Sequence, residues 1–142
     1  MTEPTAFHLE SHVERVPPRR RLATLPTPVE RLLVRGGDEV WVKRDEQSSE
    51  RYGGGKVRKL EFIFATPSMT EATRVRSIGA FGSHHLLALA IHGEPVGVGV
   101  DAIVAPQVVT RHAVSNLAAM ASLGVRFVPV MDRLLVPWGM WK

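Results

Sequence analysis

The chain has 142 residues, of which 44% are hydrophobic and 23% charged, and its formal net charge is +4. That length supports one domain with its own core, and the absence of cysteine excludes disulfide staples and thiolate metal sites. The opening "MTEPTAFHLE" carries acidic residues and no apolar stretch, so no secretory signal is expected. No apolar run approaches the ~20 residues of a membrane span, and a cytoplasmic location follows as the default.

Residues 1–24 read as a basic, proline-containing arm. Pro4, Pro17, Pro18, Pro26 and Pro28 prevent residues 1–30 from forming a continuous helix or a central strand. Positive charge concentrates in "VPPRRRL" (16–22) and "KVRK" (56–59). No aromatic residues interleave with these patches as a single-strand nucleic-acid binder requires, so a solvated basic arm is the better reading.

Beyond Gly36-Gly37, the alternation of Val40 and Val42 with Trp41 and Lys43 predicts a short strand. "RKLEFIFA" places Leu60, Ile63 and Phe64 at helical spacing, with Pro67 expected to end or bend that helix. "VRSIGAFG" predicts a strand running into small residues. "SHHLLALAIHG" predicts a helix apolar around most of its circumference, capped by Ser83 and stopped by Gly93. "VDAIVAP" reads as a buried strand. "TRHAVSNLAAMASLG" reads as a helix with Val114, Leu117, Ala118 and Ala121 on its apolar stripe, ended by Gly124, and "VRFVPV" starts a further strand. The alternation argues for an α/β fold, a mainly parallel sheet with flanking helices.

Two stretches carry chemistry. In "YGGGKVRKLE" (52–61), three glycines read as a flexible loop that makes a tight turn or lets something approach the backbone. A nucleotide phosphate loop is excluded, because Glu50 and Val57 stand where it needs a glycine and a Ser or Thr. Arg58, Lys59 and the positive end of a helix bias Lys56 toward its neutral amine, the form that attacks an aldehyde to give a Schiff base. The plain alternative is an exposed lysine in a basic loop. In "SIGAFGSHH" (77–85), Gly79, Ala80 and Gly82 lead through Ser83 into a helix and make a small cradle at a strand's carboxyl end. There the plain alternative is an N-cap serine. His84, His85 and His92 leave core, surface and ligand roles open. His85 and His92 share a helix face, but no third ligand stands at metal spacing, so no metal site is assigned.

"LPTPVERL", "VWVKRDE", "GGGKVRKLEF" and "SIGAFGSHH" occur in the order found in the D-cysteine desulfhydrase and 1-aminocyclopropane-1-carboxylate (ACC) deaminase group, which the chain resembles from about Leu25 to Val130. That resemblance implies pyridoxal phosphate as cofactor and the tryptophan synthase β fold. It implies lyase or deaminase chemistry on a small amino acid, with Lys56 holding the cofactor and later moving a proton at the substrate. Lys59 matches a second lysine of the motif, and Ser83 the serine beside the cofactor that faces substrate. Gly82, Ser83 and His84 stand where the family usually shows Gln-Ser-Asn, so His84 departs from a cofactor-binding asparagine. The resemblance further implies an incomplete fold. The family's glycine-rich phosphate cup and the partner of the pyridine nitrogen lie in a later half that "MDRLLVPWGMWK" (131–142) does not match. Trp138 and Trp141 in that divergent tail suit a face that pairs with a complementary segment or a second copy. The competing expectation is an inactive remnant that self-associates or binds a partner.

Overall fold

The computed structural model describes residues 17–33, 36 and 39–130. The beginning of the arm and the tail with Trp138 and Trp141 lie outside the described residues. Two antiparallel strands, β1 (Val29–Leu33) and β2 (Glu39–Lys43), pair with Arg31 opposite Trp41. The strand read around Val40 and Val42 is β2.

The body is a parallel sheet of β3 (Arg74–Ala80), β4 (Gly99–Ala105) and β5 (Arg126–Pro129), in the order β3-β4-β5. Ser77 lies opposite Ala102, and Ile103 opposite Val128. Helix α3 (His84–Gly93) connects β3 to β4, and α4 (Arg111–Ser122) connects β4 to β5. This is the α/β arrangement expected from the alternating pattern. Among the described residues, no helix is long and apolar enough to cross a membrane.

Helix α3 is the core element, with Leu86, Leu87, Ala88, Leu89 and Ala90 all buried against β4, α1 and α4. Each buried leucine contributes ~2 kcal/mol of transfer free energy. The α-helix ends at Gly93 as expected, though with a helical φ of −75° rather than a left-handed one. The chain runs on through a 3-10 turn at Glu94–Val96 and reverses at Gly97, whose φ is +74°. Glycine is required at 93 for packing, since a Cβ there would lie 2.6 Å from the Val98 carbonyl oxygen.

Helix α1 (Gly55–Ile63) buries Val57 and Leu60, with Phe64 just past its end, while Ile63 stays at the rim. Pro67 neither ends nor bends it. It opens a separate short helix, α2 (Pro67–Thr70), at the first-turn position where a locked φ and a missing N–H are harmless. Helix α4 is rotated from the expected stripe. Ala113, Asn116 and Met120 are its buried residues, and Val114, Ala118 and Ala121 face outward. Its inward face includes a polar residue, which hydrophobic spacing reads as outward. Gly124 ends it as expected, at φ +70°.

The described part of the arm is pinned to the domain. Glu61, 1% exposed, accepts from the Leu22 and Ala23 amides at 2.8 and 2.9 Å, and its own carbonyl accepts from Arg20 N at 2.8 Å. Arg19 pairs with the same carboxylate at 3.6 Å. The backbone is held while the arginine side chains stay at the surface.

Candidate functional site

The lysine loop is held by its neighbours rather than left flexible. Gly54 N–H donates to the Asp45 carbonyl at 2.8 Å and to the fully buried Ser48 Oγ at 3.0 Å. Ser48 Oγ donates back to the Gly54 carbonyl at 3.3 Å. His92, 2% exposed, donates from Nε2 to the Tyr52 carbonyl at 3.0 Å. Two of the three glycines are required, for different reasons. A Cβ at Gly53 would fall 1.8 Å from the Glu46 carbonyl oxygen, and Gly54 has φ +108°. At Gly55 a Cβ would meet nothing within 4 Å, so that position opens onto free space.

Lys56 follows on the first turn of α1, whose N-cap residue Gly54 supplies no side-chain hydrogen bond. Lys56 and Lys59 lie three residues apart and share a helix face. Both cations act on His85 of α3, which packs against α1. Arg58 does not join them as expected. It donates to Asp45 Oδ1 at 2.6 Å, where Lys43 also donates at 2.9 Å and Thr27 Oγ1 at 3.1 Å. The Lys43 hydrogen bond first, then Thr27 and the Arg58 charge, holds the Asp45 carboxyl below the usual carboxylate range. Arg58 thus braces the loop before α1.

The second stretch turns at the carboxyl end of β3. Ser83 is the N-cap of α3, its Oγ accepting from Leu86 N at 3.3 Å while the residue stays half-buried. A Cβ at Gly79 would lie 2.7 Å from that oxygen, so Gly79 makes room for the hydroxyl. Gly82 packs directly on α4, where a Cβ would meet Ala113 Cα and Gln107 Nε2, each at 2.5 Å. Its carbonyl accepts from the buried Asn116 Nδ2 at 2.9 Å. His84 Nδ1 meets the Tyr52 hydroxyl at 2.6 Å, and its ring lies edge-on to His112 with centroids 5.1 Å apart. His85 Nε2 lies 3.4 Å from Ser77 Oγ. Burial first, then Lys56 and Lys59, holds His85 below the usual imidazole range.

The structure therefore sets His85 within the positive field of Lys56 and Lys59, and links the Lys56 loop through Tyr52 to the Ser83–His84 turn. Sequence reasoning missed Tyr52, Ser77, His112 and Asn116. Tyr52 stands directly beside the glycines, and its position was the available signal. Asn116 is a lone amide in an apolar helix, which was a second.

The chain is 39% identical over 122 residues to nocardicin C-9' epimerase of Nocardia uniformis subsp. tsuyamanensis, covering 84% of this chain and 36% of that protein. It is 40% identical over 84 residues to the bifunctional D-cysteine desulfhydrase/ACC deaminase of Arabidopsis thaliana, covering 56% of this chain and 21% of that one. With a D-cysteine desulfhydrase of Klebsiella pneumoniae it shares 34% over 97 residues, covering 66% of this chain and 30% of the other. The chain thus spans only 21 to 36% of the length of these curated relatives. A solved ACC deaminase homologue matches the fold with a TM-score of 0.74 at 22% identity, over 88% of this chain and 39% of that structure. No family model matches the chain. Sequence identity to named desulfhydrases and a deaminase, joined to the shared fold, shows that the matched part of the chain belongs to the D-cysteine desulfhydrase and ACC deaminase family.

Proposed function

We propose that this chain is the lysine-bearing part of a pyridoxal-phosphate lyase or deaminase acting on a small amino acid. The observation that carries the reading is the exposed Lys56, on the first turn of α1 beside open space at Gly55, in a loop tied to the Ser83 turn. The residues present fit the aldehyde side of the cofactor: an accessible primary amine, a second lysine on the same helix face and a serine hydroxyl at the mouth of α3. When bound, the cofactor supplies an electron sink for bonds at the amino acid's α-carbon.

Lys56 would hold the cofactor through Nζ and move a proton at the substrate α-carbon. Lys59 adds positive charge on the same face, and Ser83 Oγ offers a hydroxyl toward substrate. His84 takes the position of a cofactor-binding group and presents an imidazole. Incubation with pyridoxal phosphate, borohydride reduction and peptide mapping tests the reading. Label confined to Lys56 and absent from Lys56→Ala is the expected result. Scattered label, equal in the two proteins, would sink it.

A second reading has its own observation. Val108, Val109 and Val114 are 83, 81 and 54% exposed, and they border an apolar cavity of about 350 Å³ with Phe81 and Leu117. Such a surface favours a module that self-associates or binds a partner. Concentration-dependent sedimentation without Lys56-specific labelling is its signature.

A further inference from the structure

Tyr52 belongs to neither motif that the family resemblance supplies, yet it touches both halves of the site. Its backbone carbonyl accepts from His92 Nε2 at 3.0 Å, near the end of α3. Its hydroxyl reaches His84 Nδ1 at 2.6 Å, at the start of the same helix. The two rings lie 6.5 Å apart and 27° from parallel. The residue is therefore laid along α3 and attached at both ends.

One attachment at the carbonyl alone would let the loop pivot about Tyr52. A second at the far tip of the side chain removes that freedom. Gly53 and Gly54 follow at once, one packed on Glu46 and the other bonded to Ser48, and then come Gly55 and Lys56. At the other end, His84 follows Ser83 directly and leans edge-on against His112 at the start of α4. The Tyr52–His84 contact thus spans from the lysine loop to the serine turn.

We propose that Tyr52 and His84 form a positioning pair that fixes Lys56 relative to Ser83. The inference rests on the cofactor reading given above. It also assigns His84 a task that the usual asparagine of the family does not suggest, since one ring nitrogen is committed to Tyr52. Tyr52→Phe removes only the hydroxyl and keeps the ring, so the carbonyl bond to His92 and the packing survive.

The test uses the full chain with pyridoxal phosphate as probe, for wild type, Tyr52→Phe, His84→Ala and the double variant. Borohydride labelling is run with excess pyridoxal phosphate, so that surface lysines also react, and Lys56 is scored as a ratio to Lys59 in the same sample. Each single variant should lower that ratio roughly three- to tenfold, the range that one hydrogen bond spans. The double variant should be no worse than the singles, because one contact has been lost twice over. A general loss of structure would also bring the ratio toward one, so each variant is read only where its circular dichroism matches wild type. A wild-type ratio in Tyr52→Phe, or losses that multiply in the double variant, overturns the pair. If the wild type itself shows no preference for Lys56, the cofactor reading fails and amide exchange of the unliganded chain decides the pair alone. Tyr52→Phe should then speed exchange at residues 53–57 without changing β4, and unchanged exchange there counts against it.

Discussion

The loop before Lys56 and the segment after β4 are two irregular stretches built on opposite physical principles. In the first, buried polar side chains hold backbone groups one by one: Ser48 on both polar groups of Gly54, His92 on the Tyr52 carbonyl. In the second, Val108 and Val109 stand almost fully in solvent beside an apolar cavity. A loop fixed from within holds its residues in a defined position. A loop that shows valines to water contributes little to the stability of the domain. The contrast teaches that three glycines need not mean flexibility, because here glycine permits close packing and an unusual φ.

The largest expected effect comes from filling the tightest of these contacts. Gly53→Ala should destabilise the domain by about 3 kcal/mol in chemical denaturation, since the new methyl would collide with the Glu46 backbone. Gly55→Ala, one turn of loop away, should leave stability within about 0.5 kcal/mol and weaken only binding of a ligand above the loop. Equal costs at the two positions would erase the distinction between them.

Ser48→Ala removes both side-chain bonds to Gly54 and should cost about 1–2 kcal/mol, measured by the same method. Gly54 N–H keeps its bond to the Asp45 carbonyl, which limits the loss.

A smaller effect follows pH. Above about pH 6.5, where unfolded histidine is neutral, the contribution from His85 is fully present. Below it, the unfolded chain takes up a proton that the folded His85 still resists, because of burial and then of Lys56 and Lys59. Stability therefore declines as the pH falls from 6.5 toward the lower folded value. His85→Gln should flatten that part of a stability–pH curve, and a parallel curve for the variant would show that another group is responsible.

The smallest effect on folding is expected in the valine segment. Val108→Ser with Val109→Ser should change stability by no more than about 0.5 kcal/mol, while reducing any self-association seen by sedimentation. A marked loss of stability would mean that the segment is part of the core after all.

Much of the fold was legible because its signals are local. The strand at Val40–Val42, the Ser83 cap, the apolar circumference of α3 and the left-handed Gly124 all depend on a few neighbouring residues. The misses share a physical cause, since each depends on what a residue meets across space. Gly93 ends α3 as read, but the reason for a glycine there, the Val98 carbonyl, was not legible. Arg58 was read only as a charge beside Lys56, and its ion pair with Asp45 was not legible. The stripe of α4 was displaced because Asn116 turns inward to hold Gly82.

The order of motifs around Lys56 and Ser83 pointed to the family, and the alternation of strand and helix pointed to the parallel sheet. Those conclusions need only the residues and their spacing. Tertiary structure alone decided that Tyr52 reaches His84, that His85 feels both lysines, and that the glycine loop is pinned. Such contacts join residues that no short periodic pattern relates, and hydrogen bonding and packing fix them only once the elements have met.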